Sequence, residues 1–372
     1  MMDQSTPHTD LSPHELFYQV MQFQCPGRSL ATLGGIWPST IDRWIEEGMP
    51  PELREMPRMV EHFDLQPHIW TSPAARLFVY PPFEREVIKE TDETVTYLNH
   101  QGITCTEFKE DAFKSMPHFE AFPVRDREDW EEFRERLRWD DERISNRWED
   151  QKQEWADRDA PLILYLGRGS GFYGSLRDMV GMERLSMLFY DEPDLVEEMM
   201  DAILELFLEA VDRLFSDFQP DAVCLWEDMA YRAGSLLNPR LVRQFMLPRY
   251  RRMTAALQKH EIPFVFLDSD GDVSELIPTW LEAGIDGVVP MEVQSGMDVA
   301  RARERYPNLL MMGGIDKKAL AAGREAIDAE MDKVQRTIAT GGYVPFFDHG
   351  LPHDVSYEDF CYFVDRLKAI TR

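Results

Sequence analysis

No run of 18 apolar residues occurs in this 372-residue chain, so nothing in it reads as a membrane-spanning helix. Cysteine is scarce. Cys25, Cys105, Cys224 and Cys361 stand far apart with no Cys-x-x-Cys pairing. That spacing argues against a disulfide framework or a zinc–thiolate site and predicts free thiols in a reducing compartment. Positive charge is also in short supply: 40 Lys and Arg face 68 Asp and Glu, a net charge of −28. Nucleic acid and anionic membranes both require a basic face, so neither is an expected partner. The opening residues, Met1 to His8, are polar and lack a basic region followed by an apolar one, so no secretory signal is visible and a cytoplasmic location is expected. A P-loop lysine pattern and a complete dinucleotide fingerprint are lacking as well.

What is present centres on Phe264-Val-Phe-Leu-Asp-Ser-Asp-Gly-Asp272. Phe264 to Leu267 read as a strand buried on both faces, of the kind found in parallel sheets. The run stops in Asp268, Asp270 and Asp272 around a glycine. In α/β folds the carboxyl ends of strands are where ligands bind. Asp272 is also placed to cap a helix starting near Val273, with Glu275 three residues on. Asp268 and Asp270 read either as a site or as turn residues.

Taken in order, residues 1–12 read as a disordered start, and Ser12 to Phe23 as a short amphipathic helix with Pro13 in its first turn. Ser29 to Leu33 reads as a strand, followed by Gly34-Gly35 and a helix from Ser39 to Glu47. Residues 50–125 are broken by prolines, and the alternating segments at 86–90, 94–98 and 103–108 predict an antiparallel meander. Residues 126–158 are strongly charged and predict exposed helices. From Pro161 onward strands and helices alternate. Strand candidates begin at residues 29, 162, 222, 264, 287, 309 and 343, and an eighth is expected within 66–80. The long helix behind Asp191-Glu-Pro carries Leu195, Met199, Ile203, Leu206, Ala210 and Leu214 on one face. Further helices are expected from Asn238 to Lys259, from Val273 to Ala283 and from Ser356 onward. Repeated βα units in this number predict an α/β fold, a (β/α)8 TIM barrel with an N-terminal helical and β-meander insertion. The expected division is an N-terminal extension over 1–28 and one barrel domain over 29–372, with an insertion over 50–158.

The predicted strand ends present Arg168, Glu227 and Asp228, Asp268 and Asp270, Glu292, Asp316, and Asp348 with His349. Each alone could be a cap or a turn residue. Together they would crowd like charges into one cleft, which requires compensation. Three forms are open. A divalent metal could be held by Asp268, Asp270, Glu292 and His349. A cationic substrate group could sit among them. Or some carboxyls could stay protonated and act as general acids. Gly167-Arg-Gly-Ser-Gly171 follows a strand and resembles a phosphate-cradling loop, although close approach of chain segments also explains its glycines. Trp37, Trp70 and Trp226 are pocket candidates or ordinary core aromatics.

From about Ser29 to the C-terminus, and most strongly over 161–370, the chain resembles the uroporphyrinogen decarboxylase superfamily, which includes cobamide-dependent methyltransferases that deliver methyl groups to coenzyme M. The resemblance is carried by Gly169-Ser-Gly-Phe-Tyr-Gly-Ser-Leu-Arg-Asp178, Trp226-Glu-Asp-Met, Asp268-Ser-Asp-Gly-Asp, Pro290-Met-Glu, Gly313-Gly-Ile-Asp316 and Asp348-His-Gly350. It implies a (β/α)8 barrel with the active site at the strand carboxyl ends, and a homodimer. Two departures bear on activity. The segment Leu33 to Thr40 has no arginine to hold a polycarboxylate, and no aspartate matches the decarboxylases' catalytic one after the second strand. Where the methyltransferases place a His-x-Cys pair and a later cysteine on zinc, this chain has Asp268, Asp270 and His349.

The resemblance therefore implies an enzyme moving a methyl group between a small methylated substrate and a corrinoid, the latter carried by a partner protein. Asp268, Asp270 and His349 would be catalytic, and Arg168, Trp37, Glu227, Asp228, Asp316 and Asp348 would bind substrate. Asp268, Asp270, Glu292 and His349 would hold zinc or another divalent ion. The alternatives are decarboxylation of a porphyrinogen or other carboxylated compound, and a non-catalytic ligand-binding barrel.

Overall fold

Seven parallel strands form one curled sheet in a computed structural model that describes residues 11–109 and 116–372. In chain order the strands are β1 (Ile69–Thr71), the meander strands β2 (Glu86–Glu90), β3 (Thr94–Leu98), β4 (Thr104–Phe108) and β5 (His118–Ala121), then β6 (Leu162–Gly167) and β7 (Ala222–Trp226). A small hairpin, β8 (Ala230–Tyr231) and β9 (Gly234–Ser235), precedes β10 (Val265–Asp268), β11 (Gly287–Val289), β12 (Leu310–Ile315) and β13 (Tyr343–Phe347). The sheet order is β1-β6-β7-β10-β11-β12-β13, each strand beside its predecessor in the barrel with helices between, as a (β/α)8 barrel requires.

The eighth stave is where the sequence reading is corrected. Ser29 to Leu33 forms no ladder. The segment instead runs between β13 and β1 on individual bonds: the Ser29 hydroxyl donates to the Tyr343 carbonyl (2.7 Å), the Gln66 amide donates to the Ala31 carbonyl (3.0 Å), and a single parallel bridge joins Ile36 to Leu351. Gln66 closes this corner further, its side-chain oxygen accepting from the Ala31 amide (2.8 Å). Isolated backbone bonds, supplemented by side-chain groups, thus stand in for the regular amide–carbonyl exchange of a strand. The expected strand within 66–80 is β1. The meander appears as expected, with β5 added as a fourth strand.

Side chains alternate cleanly across the barrel wall. Ile163, Ala222, Cys224, Phe266, Val289, Leu310, Met312, Val344 and Phe346 point inward and pack as one cluster. Their neighbours Leu164, Val223, Leu225, Leu267, Val288 and Met311 face the outer helices. This is the period-2 pattern of a strand buried on both sides. The floor of the interior is sealed by the helix Pro13–Met21, capped by Ser12 with Glu15 reciprocating. Leu16, Phe17, Val20 and Met21 join the inward cluster, and Phe17 meets Phe264 edge to face at 5.9 Å between centroids. Buried Asp221 anchors the plug, accepting from the Tyr18 hydroxyl (3.1 Å) and the Leu162 amide (2.7 Å), with His14 Nε2 at 2.8 Å. Of the disordered start expected over 1–12, residues 1–10 lie outside the described residues; Leu11 and Ser12 lead directly into this helix.

The expected helices elsewhere are present with shifted ends. The long one is Pro193–Leu214; the segment after Asn238 is three consecutive helical pieces ending at Lys259; the one after Val273 is only Ile277–Glu282. Asp272 bonds the Ser274 amide (3.0 Å), a local turn rather than the cap of that helix. The charged stretch 126–158 is largely helical, but three of its four tryptophans, Trp130, Trp148 and Trp155, are buried, so it packs on the barrel with mainly its polar faces exposed. All four cysteines are free. No helix among the described residues is long and apolar enough to cross a membrane.

Candidate functional site

The inward face of β10 ends in Asp268, which follows Phe266 on the same face and therefore projects into the top of the barrel interior. Tyr165, the last inward residue of β6, brings its hydroxyl to the Asp268 carboxylate. Burial, reinforced by the Asp270 carboxylate, pushes Asp268 up to about 7, opposed by the tyrosine bond. The Tyr165 phenol is raised in turn, first by burial and then by Asp268.

Beside this pair lies a triad. His349 Nε2 is 3.1 Å from Asp270 Oδ1, and Glu292 Oε2 accepts from the Gly271 amide at 2.7 Å. One ligand atom from each of Asp270, Glu292 and His349 falls within 4.8 Å of the others, the one such group among the described residues. The Asp270 bond raises the His349 imidazole above its ordinary value against the opposing effect of burial. His349 Nδ1 is buried with no hydrogen-bond partner. Asp268, expected among the ligands, is not part of this group: its carboxylate turns toward Tyr165.

Several strand-end carboxylates have their own cations, so much of the compensation expected from a ligand is internal. Arg177 donates to Asp228 Oδ2 (2.8 Å) and to the Asp228 carbonyl (2.9 Å). Arg168 pairs with Asp178 and lies 4.6 Å above the Trp226 ring, with Arg177 at 5.8 Å from the same ring. Asp348 is fully buried, accepts from the Val293 amide (3.0 Å) and has Lys317 Nζ at 3.7 Å. Burial raises its carboxyl, with Lys317 pulling the other way.

Glu227 corrects the sequence reading most sharply. Its side chain is fully buried beneath the mouth and cannot meet a substrate there. It accepts from the Phe172 amide (2.6 Å), the Tyr173 amide (2.6 Å) and the Tyr250 hydroxyl. Its carboxylate therefore fills the start of the helix Tyr173–Val180, the place an anion would take in a phosphate-cradling loop. The loop glycines answer to chain approach instead. A Cβ on Gly169 (φ +87°) would run into the Leu77 carbonyl, and one on Gly171 into the Trp226 carbonyl. Burial pushes the Glu227 carboxyl up to about 7 against these donated bonds.

The remaining candidates divide. Asp316 caps the helix Lys317–Ala321 through the Lys318 amide (2.9 Å) and accepts from Gln294 Nε2 (2.8 Å), a structural placement at the rim. Trp37 is 42% exposed beside the mouth, its indole N–H donating to the Gly350 carbonyl (3.0 Å). Trp70 and Trp226 pack in the wall, Trp226 buried. Tyr165, Arg177, Lys317 and Gln294 were not among the candidates. Alternation along 162–166 was signal enough to place Tyr165 inward beside Ile163.

Comparisons with known proteins agree with this architecture. The family model described as uroporphyrinogen decarboxylase (URO-D) matches residues 173–370. The uroporphyrinogen decarboxylase of Citrifermentans bemidjiense is 22% identical over 208 residues, 55% of this chain and 56% of that protein. That of Syntrophotalea carbinolica is 23% identical over 214 residues, 57% of each. The chain thus matches about half the length of these curated relatives. A solved structure described as a methyltransferase from Methanosarcina mazei aligns over 98% of this chain and 100% of its own, with a TM-score of 0.63 and 14% identity, a likeness of fold.

Proposed function

This chain belongs to the uroporphyrinogen decarboxylase family, and from that premise we propose that it is an enzyme transferring a methyl group between a small methylated substrate and a corrinoid. The observation that carries the reading is the convergence of Asp270, Glu292 and His349 at the barrel mouth. Two carboxylates and one imidazole suit zinc or a harder divalent ion, and three protein ligands leave a position open for substrate, as in catalytic zinc sites. Glu292 is oriented by the Gly271 amide, the kind of support that fixes a ligand's direction. A bound ion would supply Lewis acidity to the heteroatom carrying the methyl group.

The chain's own groups have separate tasks. When the bond from methyl carbon to heteroatom breaks, the heteroatom keeps the electron pair and takes a proton. Asp268, held against Tyr165, is placed to give it. A corrinoid held at the opening would supply the electron pair that takes up the methyl group. Exposed Trp37 and Tyr231 offer flat apolar faces around the opening for such a macrocycle or its carrier protein. On the same reading, residues 1–28 form an extension and 29–372 one barrel domain with the 50–158 insertion, in a cytoplasmic and homodimeric enzyme.

The test is element-specific mass spectrometry of freshly purified protein beside a Glu292→Gln/His349→Ala variant, followed by spectroscopic assay of methyl transfer from a substrate panel to reduced cobalamin. A near-stoichiometric metal lost in the variant, with transfer by the wild type alone, is expected. Failure to bind metal, together with no transfer from any substrate, would sink the proposal.

A second reading is favoured by the Tyr165–Asp268 contact. A buried carboxyl bonded to a phenol can protonate the carbanion left when carbon dioxide departs, and the curated relatives carry the decarboxylase name. Loss of carboxyl groups from uroporphyrinogen in vitro would establish it.

A further inference from the structure

A cavity of about 440 Å³ opens between the segment that follows β1 and the carboxyl end of β6. Its walls include Arg76, Leu77, Phe78, His100, Tyr165 and Arg168, and no aspartate or glutamate lines it. In a chain with 68 acidic residues against 40 basic ones, an acid-free cavity is a marked local reversal. The larger cavity of about 700 Å³ beside the helix Pro193–Leu214 shows the contrast, with Glu198, Asp201, Glu205, Glu209 and Asp212 in its wall.

The cavity is held in shape from behind. Arg143 is fully buried and spends its donors on backbone: Nη1 reaches the Arg76 (2.9 Å) and Phe78 (2.7 Å) carbonyls, Nε the Arg138 carbonyl (3.0 Å) and Nη2 the Arg136 carbonyl (2.5 Å). One guanidinium thereby ties the 76–78 wall to the segment at 136–138. From the front, Gly169 lets the Leu77 carbonyl approach the β6 loop. Arg168 is fixed by Asp178 and the Trp226 ring, whereas Arg76 is exposed and forms no ion pair among the described residues, its guanidinium lying 5.5 Å from the Tyr80 ring, whose hydroxyl donates to Glu142. Tyr165 belongs to the cavity and also bonds Asp268, so an occupant would sit one side chain from the mouth carboxylates.

We infer that this cavity is the substrate pocket and that it takes a small molecule with an apolar body and one anionic head group, the body against Leu77 and Phe78 and the head group against Arg76 and Arg168. Apolar walls with a few convergent polar groups are the usual make-up of small-ligand sites, and guanidinium groups suit a carboxylate in particular. The inference deepens the enzymatic reading by naming the substrate class. The insertion over 50–158 then acts as the specificity element, since it supplies most of the wall.

The test is isothermal titration calorimetry of the full-length protein with benzoate, its neutral analogue benzamide and its cationic analogue benzylamine. It is repeated in the Glu292→Gln/His349→Ala variant, so that binding to a metal is told apart from binding in the cavity. Benzoate should bind about tenfold or more tightly than either analogue, equally in wild type and in that variant. Arg76→Gln should weaken benzoate by about tenfold with an unchanged circular dichroism spectrum, and Arg134→Gln at the larger cavity should not. Benzylamine binding as tightly as benzoate, no benzoate binding up to its solubility, or indifference to Arg76→Gln would overturn the assignment. Benzoate binding lost only in the metal-site variant would overturn it too, while leaving the metal reading standing.

Discussion

Tyr165 and Asp268 meet at the top of the barrel interior although their strands are not neighbours: β7 lies between β6 and β10, and Trp226 is the β7 residue in register with Asp268. The contact spans the barrel's curvature, and it joins the acid-free cavity to the carboxylate cluster. Substituting Tyr165→Phe removes only the hydroxyl. It should lower turnover about 10- to 100-fold, and Asp268→Asn about 100-fold or more, whichever chemistry the site performs. Both should keep wild-type unfolding midpoints in urea. Full turnover in Asp268→Asn would remove this carboxyl from the reaction.

Glu227 is a stability prediction, not a catalytic one. Glu227→Gln places an amide NH2 among groups that all donate: the Phe172 and Tyr173 amides and the Tyr250 hydroxyl. The loss should be about 3 kcal/mol in chemical denaturation, the scale of a broken buried charged network. A variant as stable as wild type would show that the helix start at Tyr173 does not depend on this carboxylate.

His68 sits at the corner where the eighth stave meets β1, its Nδ1 against the Thr32 hydroxyl. Burial lowers its imidazole from 6.5 to about 4. Between those values the unfolded chain takes up a proton that the folded one refuses. Stability from this group is therefore present at neutral pH and lost as pH falls from about 6.5 toward 4, about 3 kcal/mol in all. His68→Gln should flatten that part of the profile, which urea midpoints at pH 7 and pH 4.5 in both proteins would show. Parallel profiles would contradict it.

The floor plug makes a further prediction. Phe17 is fully buried against Phe264, so Phe17→Ala should cost about 3 kcal/mol and leave metal content unchanged. A shift of less than about 0.5 kcal/mol would mean that the helix Pro13–Met21 only rests on the barrel.

The parts of the fold legible in sequence were those with strong local pattern. The apolar runs at 162, 222 and 343 end in recognisable turn and helix signals, and the strands lie where the runs do. Ser29 to Leu33 misled because its closure is made by isolated backbone bonds and by the Ser29 and Gln66 side chains, which no periodicity reports. The site was legible as a set of strand-end residues but not as a geometry. Asp270, Glu292 and His349 come from three different strand ends, and only their convergence separates them from Asp316, which caps a helix, and Glu227, which is buried against the start of the helix Tyr173–Val180 and the Tyr250 hydroxyl. The basic character of the cavity was hidden for a related reason. Arg76 and His100 belong to the insertion, where a strongly negative overall charge gave no hint of a wall free of carboxylates.

Because Glu227 already satisfies the amides at the start of the helix Tyr173–Val180, the glycine loop above it needs no ligand to become ordered. Encounter at this side of the mouth then has no loop-closing step, and its rate is set by diffusion and by the field around the molecule. A net charge of −28 repels anions at long range, and the guanidinium groups of Arg76 and Arg168 act only at short range. An anionic ligand must therefore cross a repulsive zone before it is attracted, and added salt, by shrinking that zone, should speed its arrival.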